Sequence, residues 1–458
     1  MDDRLSNALM GIVGERNVIA DPDLKFPYES DITGRYSGSA RLVVLPADTR
    51  ECARVLAECA RSNVPVIPQG GNTGLVGGGI PREGEIVLST RRMSSIEELD
   101  EVAGQMTVGA GVILEAAQEA AKRSGRELTL DHGARSAATL GGMAATDAGG
   151  SMALRYGTMR SHVVGLEAVL ADGSVVSRLS GLIKDNAGYR WPDVLVGSEG
   201  TLAVITRLGL RLAELAPRRV SALFGASSFY DALGLLGSLR AHAPSLRAAD
   251  FFTADGLELV CRHRKLRPPL RGEPPIYVIV ECAGRGDLLE ELAAAAQDAG
   301  GREDVVIADD SAGHDRLWLY RDGQNEAVRA DGVPHKLDVS VPLARLSQFV
   351  DALRDMLADE RPGARLVLYG HLGDGNLHVN ILGLDVADSA IDGAVLRLAA
   401  GHGGSISAEH GVGVAKVGWL DLVRSREEIA LMRSIKAAFD PAGLLSPGRV
   451  LPRVDGPG

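Results

Sequence analysis

The chain has 458 residues, of which 45% are hydrophobic, 24% charged and only 4% aromatic, and its net charge is −11. That length accommodates two or three domains with cores built from Val, Leu, Ile and Ala. The acidic balance excludes a nucleic-acid surface or a general affinity for anionic membranes, so an anionic substrate must meet a local cluster of positive charge. No apolar run approaches the length of a membrane span, and no integral membrane segment is expected. The N-terminus, Met1-Asp2-Asp3-Arg4-Leu5, lacks the basic and apolar regions of a signal peptide and the Arg-rich character of a mitochondrial presequence. Cys52, Cys59, Cys261 and Cys282 show no CxxC spacing, and a reducing, cytoplasmic location is expected.

In chain order, residues 3–15 read as a short helix and 41–46 as a strand that stops at proline. Ala47-Asp48-Thr49 offers N-cap residues for a helix through Arg61. A second strand at 64–67 runs directly into Pro68-Gln69-Gly70-Gly71-Asn72-Thr73-Gly74-Leu75-Val76-Gly77-Gly78-Gly79. Such a Gly-rich loop after a strand has amides that can converge on a phosphate. A flexible surface turn is the competing reading, against which Leu75-Val76 suggests burial. The loop is not a Rossmann fingerprint, because no complete GxGxxG occurs, and the lack of any Gly-Lys pair excludes a P-loop.

Strands are expected at 85–90 and 105–110, and a helix over 113–124 ends before Gly125. Residues 139–150 are mostly Gly and Ala, which lets another body lie close to the backbone; tight helix packing selects the same residues. Segments 163–170, 175–176 and 197–206 complete a β-rich first part. The pattern changes near 215. Strands at 219–224, 276–282 and 305–308 alternate with helices at 230–243 and 287–299, and helices over about 311–330 and 343–360 bracket Lys336-Leu337-Asp338-Val339-Ser340. This alternation predicts an α+β sandwich of ferredoxin-like type. The basic run 262–267, followed by Pro268-Pro269, reads as a solvated loop, and 427–440 as a terminal helix.

Chemistry concentrates in two Gly-rich segments, 369–380 (Tyr-Gly-His-Leu-Gly-Asp-Gly-Asn-Leu-His-Val-Asn) and 407–413 (Ser-Ala-Glu-His-Gly-Val-Gly). His371 is expected at the end of one strand and His378 at the start of the next. His371, His378 and Glu409 form a two-His-one-carboxylate set suited to catalytic Zn2+, and also to Mn2+ or Fe2+. Satisfied turn histidines are the alternative. Glu409 and His410 are adjacent, so one can bind metal while His410 carries the substrate proton. Helical spacing in 318–326 puts Arg321 and Asn325 one turn apart, and Arg321 with Lys336 can clamp a carboxylate. A plain surface charge is the alternative for either.

Five motifs occur in order: PQGGNTGLVGG at 68–78, LGGMAATDAGG at 140–150, GSEGTLAVIT at 197–206, GHLGDGNLHVN at 370–380 and SAEHGVGVAK at 407–416. With them the chain resembles, over nearly its whole length, the FAD-linked D-2-hydroxyacid dehydrogenases of the vanillyl-alcohol oxidase flavoprotein group. The resemblance implies an α+β protein with a two-subdomain FAD-binding domain of the vanillyl-alcohol oxidase type at 1–215. A ferredoxin-like α+β substrate- and metal-binding domain would occupy 216–425, and a C-terminal helical segment at 426–458 would pack back on the FAD domain. It implies an FAD pyrophosphate on the amides of Gly70–Gly74, with Pro68, Gln69, Gly71, Asn72, Thr73 and Gly77 beside it. The flavin would approach the backbone at Gly141, Gly142, Thr146, Gly149 and Gly150, and Glu199, Gly200 and Ile205 would complete its pocket.

Under the same resemblance His371, His378 and Glu409 match metal ligands and His410 matches the catalytic base. Arg321, Asn325, Lys336 and Asn380 match substrate-binding positions. Two positions depart from the family pattern: Asn325 stands where members acting on hydroxyglutarate carry Thr, and Ser446 where the family has Asn. No histidine marks covalent flavin attachment, so non-covalent FAD is expected. The implied activity is oxidation of a D-2-hydroxy acid to its 2-oxo acid by hydride transfer to flavin. D-2-hydroxyglutarate is the first expectation, with D-lactate, D-malate and glycolate as alternatives. A separate electron acceptor, an electron-transfer flavoprotein or a quinone, and a homodimer are expected as partners. A flavin-free metal hydrolase or oxygenase and a catalytically silent flavoprotein stay open as readings of other classes.

Overall fold

The computed structural model describes residues 3–82, 84–301 and 304–453. Met1 and Asp2 of the acidic N-terminal stretch, and residues 454–458 of the expected C-terminal segment, lie outside them. The chain forms two compact units. One comprises the chain up to Gly149, Gly157–Leu215 and the chain from Glu409 onward; the other comprises Gly150–Tyr156 and Ala216–Ala408.

In the first unit a sheet of four strands among the described residues runs in the order Val18–Ile19, Leu42–Val44, Ile86–Ser89, Val66–Gln69, the last three parallel. Parallel strands are covered on both faces, which is why these segments read as continuous apolar runs. Their crossover is the helix Thr49–Arg61. Asp48 caps it by accepting from the Glu51 amide at 2.8 Å, and Cys52, Val55, Leu56 and Cys59 form its buried stripe. Burial pushes the Cys59 thiol up to about 12 and raises Cys52 further, so both behave as core residues rather than nucleophiles.

An antiparallel sheet of five strands among the described residues follows, in the order Ile96–Asp100, Gln105–Gly109, Val204–Arg211, Val163–Val169, Val175–Arg178. It packs around Val108, Leu140, Leu166 and Leu208. The C-terminal helix Arg426–Phe439, opened by a capping box at Ser425 and Glu428, lays Ile435 and Phe439 on that core. Leu445 enters the neighbouring core, bridged to Val66.

The second unit is built on an antiparallel sheet of seven strands among the described residues. Its order is Val305–Ala308, Arg218–Ala226, Ile276–Gly284, Leu246–Thr253, Arg365–His371, Asn376–Leu382, His335–Ser340. Side chains alternate between faces with period two, and directly paired residues share a face. The register pairs Asp338 with His378, His378 with Tyr369, and Lys336 with Asn380, while Phe251 meets Gly370 and so places Asp250 beside His371. One face therefore carries Lys336, Asp338, Asn380, His378, Tyr369, His371 and Asp250. The same face also carries the buried Ser221 and Glu281, and its apolar part packs on the helices Ala254–Arg264, Ser311–Asp322 and Gln324–Asp331. On the opposite face Phe251 meets Phe229 of the helix Phe229–His242, ring centroids 5.1 Å apart.

Three expectations change. The helix expected over 311–330 is two helices separated at Gly323, where glycine, a weak helix former, ends the first. The basic run 262–267 is not a free loop: Arg262, His263 and Arg264 close the helix Ala254–Arg264, and they pair with Asp331 and Glu326. The strand Leu246–Thr253 was not anticipated, because Ala248-Ala249-Asp250 has poor strand propensity and only tertiary packing selects it. The C-terminal return also begins earlier than 426, at Glu409, because the Val412 and Gly413 amides are held by Glu199.

Candidate active site

In the second unit two histidines stand on adjacent strands with ring centroids 5.5 Å apart, each backed by a buried carboxylate. His371 Nδ1 donates to Asp250 Oδ1 at 2.9 Å. His378 Nδ1 lies 3.5 Å from Asp338 Oδ1, an ion-pair separation. Asp338 is itself fixed: Asn376 Nδ2 donates to its Oδ1 at 2.7 Å, and the Ala408 amide to its Oδ2 at 3.0 Å. One peptide bond beyond Ala408 the chain continues as Glu409.

Asp250 is fully buried, which alone would raise its carboxyl. The charges of His371 and Arg321, with hydrogen bonds from His371 and the Ser151 hydroxyl, outweigh burial and hold it below the usual range. An ionised Asp250 can only accept, so the proton of the His371 bond sits on Nδ1; when the imidazole is neutral, as metal binding requires, Nε2 is the nitrogen with a lone pair for a ligand. Arg321, in the last turn of its helix, places Nε 2.9 Å from Asp250 Oδ2, and its guanidinium lies 5.1 Å from the centre of the Tyr369 ring. Lys336 Nζ donates to Asn325 Oδ1 at 2.6 Å. Asn380 is fully buried, its Nδ2 donating to the His378 carbonyl at 3.1 Å, while its Oδ1 has no partner among the described residues.

In the first unit the Gly-rich loop is anchored on one side. Arg91 donates to the Gly70 and Gly71 carbonyls at 3.4 and 2.9 Å, Gln69 Nε2 to the Tyr28 and Gly79 carbonyls, and Asn72 Nδ2 to those of Pro27 and Ser30. A trans peptide points its N–H opposite to its C=O, so the Gly71 and Asn72 amides face away from Arg91. Among the described residues the amides of Gly71, Asn72, Thr73 and Gly74 donate to no protein acceptor. A Cβ at Gly74 would meet nothing within 4 Å, whereas one at Gly71 would run into the Ala137 carbonyl. The loop is therefore packed on one side and open on the other, as a phosphate cradle requires. A cavity of about 400 Å³ lined by Arg91, Gly111, Val112, Ile113, Ala137 and Thr139 adjoins the anchored side. The open amides of the loop, on the side away from this cavity, are what fit the phosphates of FAD.

The remaining expected residues fall as follows. Gly141 packs so tightly on Ala110 that a Cβ would clash, Thr146 Oγ1 donates to the Gly142 carbonyl at 3.2 Å, and Ile205 is buried in its strand. Gly149 belongs to the first unit and Gly150 opens the 150–156 segment of the second. Glu199, with Gly200 beside Pro68, adopts a left-handed backbone (φ 51°), and its carboxylate accepts from the Val412 and Gly413 amides at 2.7 and 2.8 Å. Glu199 thus clamps the chain just beyond His410. His410 Nε2 lies 3.5 Å from Glu409 Oε1. The sequence reading missed Asp250, Asp338 and Ser151. Its available signal was an acid at an alternate position of an otherwise apolar strand, as in Leu337-Asp338-Val339.

Comparisons with known proteins bear on the family and the fold. Residues 40–178 match the family model "FAD binding domain", and 215–450 match "FAD linked oxidases, C-terminal domain". The chain is 39% identical over 446 residues to the D-2-hydroxyglutarate dehydrogenase, mitochondrial, of Bos taurus, covering 95% of this chain and 81% of the relative. It is 36% identical over 452 residues to the protein of that name from Arabidopsis thaliana, covering 96% and 80%. The crystal structure of p-cresol methylhydroxylase with substrate bound superposes with a TM-score of 0.81 at 15% identity, covering 100% of this chain and 98% of the other, a likeness of fold. The expected cytoplasmic location is corrected by these relatives, whose names place them in mitochondria. The composition of a folded domain carries no such address, because compartments are set by signals that receptors read. The chain belongs to the FAD-linked D-2-hydroxyglutarate dehydrogenase family, oxidoreductases that act on a CH–OH group.

Proposed function

We propose that this chain oxidises D-2-hydroxyglutarate to the 2-oxo acid, using non-covalent FAD in the first unit and a divalent metal held by His371, His378 and Glu409. The observation that carries the metal reading is the buried carboxylate behind each histidine. Asp250 fixes the tautomer of His371, and Asp338 stands in the same place behind His378, an arrangement that orients imidazoles for a metal. The neutral-imidazole and carboxylate set suits Zn2+, with Mn2+ and Fe2+ as alternatives.

Arg321 and Lys336 bring the positive charge that an acidic protein must concentrate to hold a dicarboxylate, and Asn325 positions the Lys336 ammonium. Asn380 contributes a buried acceptor that a ligand donor can satisfy. His410 takes the hydroxyl proton at Nε2. A divalent metal, when bound, supplies Lewis acidity toward the hydroxyl and carboxylate oxygens. FAD, when bound, supplies a two-electron acceptor for the Cα hydrogen. Electrons then leave to a separate acceptor, an electron-transfer flavoprotein or a quinone.

The test is anaerobic addition of D-2-hydroxyglutarate, D-lactate, D-malate and glycolate to the purified flavoprotein, followed by visible absorbance. Bleaching fastest with D-2-hydroxyglutarate is expected. A colourless protein, or a flavin that no D-2-hydroxy acid bleaches, contradicts the proposal. Preferential bleaching by D-lactate, D-malate or glycolate moves the substrate within the same class.

A further inference from the structure

We infer that Asp250 is a positioning residue that ties the metal ligand His371 to the substrate-binding Arg321, so that one buried carboxylate sets the geometry of both. The inference rests on the metal and substrate roles proposed above for those two residues.

Four observations carry it. Asp250 has no exposed surface, and a buried carboxylate is costly unless its lone pairs are met by donors and opposite charge. Its two oxygens meet three partners from three separate elements. Oδ1 accepts from His371 Nδ1 at 2.9 Å, at the end of the strand Arg365–His371. Oδ2 accepts from the Ser151 hydroxyl at 2.8 Å, in the 150–156 segment, and lies 2.9 Å from Arg321 Nε, in the last turn of the helix Ser311–Asp322. The guanidinium also lies over the Tyr369 ring, 5.1 Å from its centroid, a second contact that holds Arg321 beside Asp250.

A purely structural ion pair exists in the same sheet for contrast. Arg247 and Glu281, both 3% exposed, pair at 3.0 Å, and Glu281 lies 3.5 Å from His314; none of these three is a candidate ligand. The Asp250 carboxylate differs in holding two side chains to which the proposed function gives ligand-binding roles. Removing its charge should therefore loosen the orientation of His371 and release Arg321 together.

The experiment compares wild type with Asp250→Asn, Asp250→Ser and Asp250→Glu, each purified with its flavin. Zn2+ affinity is measured by competition with a chromophoric chelator, and KM and kcat for D-2-hydroxyglutarate are measured after Zn2+ loading. Loss of an outer carboxylate behind a metal-binding histidine typically weakens the metal by about 10–100-fold. That loss is expected for the Asn and Ser variants, with a rise in KM that exceeds the fall in kcat and an unchanged flavin spectrum. Asp250→Glu, which keeps the charge, should recover most of the Zn2+ affinity, and this recovery separates positioning from packing if either neutral variant folds poorly. Wild-type affinity for Zn2+ in the Asn or Ser variant, or no recovery in the Glu variant, overturns the inference. A wild type that binds none of Zn2+, Mn2+ and Fe2+ overturns the metal reading itself, and the inference with it.

Discussion

The two units prepare for a ligand in opposite ways. In the first, Arg91 holds the Gly70 and Gly71 carbonyls on one side of a loop, and the backbone amides that follow face the other side. In the second, Asp250 and Asp338 stand behind His371 and His378, and under the proposed metal reading the far nitrogens of the side chains are the binding atoms. A backbone site needs small residues in sequence, whereas a side-chain site needs carboxylates that are distant in sequence and near in space. The first should tolerate change only where the loop is open; the second should respond to charge.

The largest expected effect belongs to His410. His410→Ala should lose at least roughly a hundredfold in turnover, the usual scale of general base catalysis, while the protein stays yellow. Near wild-type turnover would remove His410 from the chemistry. The loop separates more finely. Gly74→Val places its side chain in open space and should leave thermal stability unchanged while weakening FAD at least roughly tenfold, the cost of about one charge-assisted hydrogen bond. Gly71→Val meets the Ala137 carbonyl and should destabilise the fold by about 1–3 kcal/mol. Equal effects of the two on FAD affinity and on melting would contradict a one-sided loop.

The smallest effect is a pH dependence. Burial raises the Glu199 carboxyl above its ordinary 4.5, and the Val412 and Gly413 amides with the Lys416 charge offset this only in part. With the folded value above the unfolded one, the ionised form opposes folding. That penalty is absent below the unfolded value and complete above the folded one. Wild type should therefore lose stability relative to Glu199→Gln as pH rises from about 4.5 toward neutral. Melting curves across that range with a constant gap between the two proteins would be inconsistent with it. Asp250 works in the opposite sense: its lowered value adds stability that is present above the ordinary carboxylate range and is lost only as pH falls through its folded value.

The same contrast explains what could be read without coordinates. The Gly-rich loop was legible because its glycines are close together in sequence, and the strands at 105–109, 276–284 and 376–382 because their apolar runs are local. His371 and His378 were legible because one hairpin brings them together. Asp250 was not: it lies 121 residues before His371, in the one strand of the site face that lacks a clear apolar pattern. Ser151 was hidden for a similar reason, since a segment beginning in a flavin-type motif belongs to the second unit. The compartment was misread because no packing rule encodes it.

The central claim is that paired histidines backed by buried carboxylates hold a metal that is independent of the flavin. It is tested most directly by elemental analysis of metal per flavin in wild type and in His371→Ala. A divalent metal near one per flavin in wild type, with the variant still yellow but depleted of it, is the expected result. Unchanged metal content in the variant would contradict the account.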